Sequence, residues 1–167
     1  MMPPVTPAVV HMDETMRMAH LGCVVAVVWL DAPTLPQMQT FASHARRVSK
    51  QHDGSFLFNL IIDGTPSFDS KVREEANKLT VEGVNRRGAA HVILVEGFRG
   101  AAVRAFLGSM LMLNKPKTPT KVVADVHSAT AFACECLGGG RVESDSRTLA
   151  RFIEWSVSRE GQWPRPW

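Results

Sequence analysis

The stretch "LIIDGTPSFDSKVREEANKL", residues 60–79, ends an apolar run in an acid, Asp63, and then sets an acid beside a hydroxyl, Asp69–Ser70, where a helical pattern starts. Two chemistries suit that pair. A side-chain oxygen at a helix start accepts a hydrogen bond from an orphan amide and contributes about 1 kcal/mol. A carboxylate there also suits the positive end of the helix dipole. In the other reading Ser70 is a switch. Phosphorylation would bring about −1.5 to −2 charges beside Asp69 and Asp63. The helix amides would favour the phosphate, while the carboxylates would repel an acidic partner surface. Asp63 itself ends a strand at the carboxyl edge, where open α/β sheets place ligands; its plainer reading is a turn acid before Gly64.

A second candidate, Glu96-Gly97-Phe98-Arg99-Gly100, follows the next apolar run. Its glycines would let a ligand approach the backbone, or they mark a tight strand-to-helix turn. The spacing is that of neither a P-loop nor a dinucleotide fingerprint. The six histidines are scattered with no pair at i, i+3 or i, i+4, so no metal site is assigned. His91, inside an apolar run, reads as a core histidine. Cys134 and Cys136 are two apart, and on a helix they would point about 200° from each other. With Cys23 they suit neither a disulfide framework nor a metal spacing, and imply a reducing compartment. No G-x-S-x-G elbow, Cys–His signature or diagnostic carboxylate pair is present. The expectation is a non-enzymatic protein with no cofactor.

The elements that must position these residues follow from periodicity. "TMRMAHL" alternates, and "CVVAVVWL" reads as a strand buried on both faces, so the two form a hairpin turning at or near Leu21-Gly22. A capping box, Thr34 to Gln37, opens a helix with Met38, Phe41, Ala42, Ala45 and Val48 on one face. "SFLFNLII" and "AAHVILV" are further buried strands, separated by a helix carrying Val72, Ala76 and Leu79. "AAVRAFLGSMLML" is a helix apolar nearly all round. "KVVADV" is a short strand, and "SATAFACECL" a helix capped by Ser128. A final amphipathic helix carries Leu149, Phe152 and Ile153 inward, before the tail "GQWPRPW".

Alternating helix and strand calls for a largely parallel sheet with right-handed crossovers, and the opening hairpin makes it mixed. The expected fold class is α/β: a mixed, largely parallel sheet of about five strands with packing helices and an extra C-terminal helix. The chain divides into a flexible, proline-rich start at 1–13, a domain at 14–140, and a C-terminal helix and Trp-Pro tail at 141–167. At 167 residues it can bury a core without staples. The net charge of +3 is spread out, which speaks against nucleic-acid binding. With no signal peptide and no transmembrane segment recognised, the expected location is cytoplasmic.

The order of elements, with "LIID" leading into "FDSK" at a helix start, resembles the STAS/SpoIIAA-like family of anti-sigma-factor antagonists and sulphate-transporter tails. The segment "VILVEGFRGAAVRAFLGSMLMLNKPKTPTKVVADVHSATAF" is similar to the stand-alone STAS/SEC14-like bacterial members, with their glycine-aromatic start to the third helix. The resemblance spans roughly residues 13 to 137. In the antagonists the helix start reads Asp-Ser-Ser-Gly and its first serine is phosphorylated. Asp69 and Ser70 match the Asp-Ser pair, and Lys71 and Val72 replace the Ser-Gly. The resemblance implies a regulatory module that binds a protein partner through Asp63, Asp69, Ser70 and the Glu96, Gly97, Phe98, Arg99 turn. A rival expectation is a small-molecule or lipid-binding domain whose methionine-rich helix lines a pocket. That helix is either buried between the sheet and the C-terminal helix or exposed to a partner, a lipid or a second copy, and a homodimer anchored by Trp163 and Trp167 would cover it.

Overall fold

The structure is a computed structural model that describes residues 6–63 and 69–158. Six strands lie side by side in chain order. β1 (Ala8–Met12), β2 (Met16–Leu21) and β3 (Val24–Trp29) form an antiparallel meander, and β3, β4 (Phe56–Ile61), β5 (Gly88–Ile93) and β6 (Thr120–Val123) run parallel. The expected mixed, largely parallel α/β sheet is present, with one strand more than counted. Three successive right-handed crossovers in one direction must place their helices on one face. Accordingly α1 (Leu35–His52), α2 (Ser70–Glu82) and α3 (Gly97–Leu113) cover the face that carries Val25, Val27, Leu57 and Ile61. The opposite face, with Val24, Val28, Phe56, Phe58 and Leu60, packs against α4 (Val126–Leu137) and α5 (Ser146–Val157). Both faces are buried, which is why β3 is apolar at every position.

The extra strand takes in residues 8–12, within the start expected from sequence to be flexible. The prolines of that start all precede it in the sequence, and residues 8–12 pair with β2. Asp13 closes that hairpin by accepting from the amides of Thr15 (2.9 Å) and Met16 (2.8 Å). Gln37 donates to Asp13 and to Thr15 Oγ1 (2.7 Å), tying the start of α1 to the same turn. Burial alone would raise the Asp13 pKa, but hydrogen bonds from His11, Thr15, Gln37 and Met16 outweigh it and hold it at about 2.

Three boundaries also differ. α4 is capped by Asp125, which accepts from both the amide and the hydroxyl of Ser128, so the serine is the third helical residue rather than the cap. α3 starts at Gly97, before the "AAVRAF" run. A Cβ on Gly100 would sit 1.8 Å from the Val95 carbonyl oxygen, so that glycine serves the close approach of helix to strand end. The region after Gly140 is a 3₁₀ turn (Val142–Ser144) followed by α5, with Asp145 as cap, rather than one continuous helix. Leu149, Phe152 and Ile153 are fully buried as expected. Because α5 docks on the α4 side, it does not cover α3. Phe98, Met112 and Leu113 on α3 are 79–89% exposed. The Trp163 and Trp167 tail and Gly64 lie outside the described residues.

Candidate functional site

On the face beneath α1, α2 and α3, each strand presents every second residue. In the middle of that face Asn59 on β4 stands directly opposite His91 on β5, two polar groups where the flanking positions are Leu57, Ile61 and Ile93. Above them the helices do not close. α2 is held toward α1 by a two-pronged pair in which Arg46 Nε and Nη2 donate to Glu82 at 2.7 and 2.8 Å. α3 rests on β5 and β6 instead. The space left between sheet, α2 and α3 is a cavity of about 210 Å³. Leu57, Leu79, Leu107, Met110 and Leu111 supply apolar wall, while Asn59 and His91 form a polar floor. Asp63 and Arg73 stand where the cavity meets the surface, both exposed.

The floor has a fixed hydrogen-bond sense. Trp29 Nε1–H donates to Asn59 Oδ1 at 2.8 Å, and Asn59 Nδ2 lies 2.8 Å from His91 Nδ1. An indole can only donate, so it settles the amide orientation, and the amide nitrogen must then donate to His91. Nδ1 is thus an acceptor, and the neutral imidazole carries its proton on Nε2. Burial pushes the His91 pKa down from 6.5 to about 4, so the ring is neutral near pH 7. Protein atoms surround the ring while one side of it faces the cavity.

The residues singled out in sequence divide into two groups. Because β4 and β5 are parallel neighbours, with the Leu94 amide donating to Ile61 O at 2.9 Å, Asp63 and the Glu96–Arg99 turn leave from one edge of the sheet. Glu96 precedes α3 with no side-chain capping bond, and Gly97 has φ +71°, which makes the sharp turn into the helix. Phe98 and Arg99 are exposed. Asp69 is the cap of α2, accepting from Lys71 N at 2.9 Å. Ser70 is already the first helical residue, and its hydroxyl donates to Asp69 at 3.4 Å instead of capping an amide. It opens onto a shallow groove with Arg73, Asn77 and Asn114. The edge residues are exposed.

The Trp29–Asn59–His91 chain was missed as a unit. Its signal in the sequence was a polar residue in the middle of two buried-type strands, and only strand register pairs them. Other features have structural employment. Arg86 and Arg87 donate to the Asp53, Gly54 and His52 carbonyls at the end of α1. Among the described residues no group of three or more His, Cys, Asp or Glu side chains is placed to hold a metal ion. No helix among them is long and apolar enough to cross a membrane. Compared with models of known families, with curated proteins and with solved structures, the chain matches none.

Proposed function

We propose that this chain is a binding module that takes a small, largely apolar ligand between its sheet and the α2–α3 pair. The cavity with its oriented polar floor carries the reading, since ligand sites are mostly apolar clefts with a few placed polar groups. Space of this size is ample for a compact ring system, given that an apolar cavity of about 150 Å³ admits benzene. Native mass spectrometry of the purified chain tests it. An adduct of defined mass is expected, and Leu107→Trp, which fills the cavity, should remove it. A bare chain that also fails to bind any member of a fragment set would overturn the reading.

The STAS-like interaction module is the second reading, favoured by one observation. Asp63, Asp69, Ser70 and the Glu96–Arg99 turn are all exposed, and Asp63 and the turn share one edge of the sheet. A protein partner would sit on that edge and extend over Phe98 onto the outer face of α3, where a second copy could also pair. Recovery of one defined partner by wild type, and its loss with Phe98→Asp, would support this reading. Unchanged recovery with that variant would sink it.

A further inference from the structure

The hydrogen-bond chain in the cavity floor ends in a donor with nowhere to go. His91 Nδ1 is satisfied by Asn59. None of the described residues accepts from Nε2. Yet among the described residues no fully buried side-chain nitrogen or oxygen lacks a partner, so Nε2 is the accessible part of a ring that lines the cavity. A donor held in an apolar hollow gains from an acceptor and loses when an apolar group displaces its water. The wall also limits charge. Among the described residues Arg73, at the mouth, is the single cation lining the space, so an anion seated at depth would be desolvated with no counter-ion from them.

Resting on the cavity reading, we propose that the ligand is a compact neutral molecule, apolar over most of its surface, whose carbonyl or ether oxygen accepts the His91 Nε2 proton. The Trp29 indole sets this preference from two residues away. It donates to Asn59, which donates to His91, so the ring can offer only its proton to the cavity. A ligand that can only donate at that position meets another donor and is rejected.

Two planar probes of nearly equal shape test this: acetophenone, which carries the oxygen, and α-methylstyrene, which replaces it with a methylene. Calorimetric titration of the full chain should give acetophenone an affinity about tenfold tighter, the size of one hydrogen bond in a site that otherwise leaves a donor unmet. His91→Phe should bind the two equally. Nitrogen-15 correlation spectra of the wild-type imidazole give a reading that needs no variant. They should show the proton on Nε2, and the Nε2 signal should move with acetophenone and stay with α-methylstyrene. Equal affinities in wild type, or a proton on Nδ1, overturn the inference while leaving the cavity reading intact. Binding of neither probe overturns the inference, and if no member of the fragment set binds either, the cavity reading falls with it.

Discussion

Asn59 is the residue through which three strands agree on one proton position. It accepts from β3 through Trp29 and donates to β5 through His91, and the pH behaviour of the chain follows. The folded His91 pKa, about 4, lies below the ordinary 6.5. Below pH 6.5 the unfolded chain therefore takes up a proton that the folded chain refuses. The stability is fully present above pH 6.5 and falls until about pH 4, by roughly 3 kcal/mol in all. His91→Phe should be less sensitive than wild type over that window, as urea unfolding at several pH values would show. At the start of α2 the capping bond belongs to Asp69, so Asp69→Ala should cost about 0.5–2 kcal/mol. Ser70→Ala should stay within about 0.5 kcal/mol, as for an exposed side chain with no structural task. Equal losses in thermal unfolding would return the capping role to the serine.

Among the elements, α5 and α3 stand at opposite ends of a scale. α5 puts Leu149, Phe152 and Ile153 wholly out of water, and Phe152 stacks on Trp155 with ring centres 6.1 Å apart. Phe152→Ala should therefore cost about 3–5 kcal/mol by chemical denaturation. α3 touches the sheet through Gly100, Val103 and Leu107 and leaves Phe98, Phe106, Met112 and Leu113 outside. Its fit depends on the Gly100 approach to Val95. Gly100→Ala should lift the start of α3 from β5 and speed amide exchange along α3 while α5 stays protected. Uniform protection in both helices would show that the strand end yields instead.

At the scale of the molecule, the open side is the α3 side, and its charge bears on what can cover it. From Gly97 to Ala124 the chain carries Arg99, Arg104, Lys115, Lys117 and Lys121 and no acid. If two copies paired on α3 in antiparallel fashion, Arg99 of one would face the Lys115 region of the other. Like charges would oppose the contact, and salt would relieve them. Self-association through α3 should thus strengthen between low and high salt in sedimentation at micromolar concentration. A dimer that weakens with salt would place the interface elsewhere.

The α/β class, the buried strands, the capping box at Thr34 and the inward face of α5 were legible in the sequence, because each is written in the spacing of neighbouring residues. Periods of two and of 3.6 are local quantities. The edge strand at residues 8–12 was not legible, since a pairing strand at a sheet edge needs little apolar content of its own and the prolines beside it dominated the pattern. Nor was the side of the sheet on which α5 would dock. An amphipathic face states that a helix is covered, not by what. The cavity floor was hidden for the same reason. Asn59 and His91 are 32 positions apart, and only the parallel register of β4 and β5 makes them neighbours. Local spacing was enough to read most of the elements and the inward faces of α1 and α5. Which faces meet follows from the assembled fold, because contact between distant segments depends on register and crossover side, which no local spacing encodes.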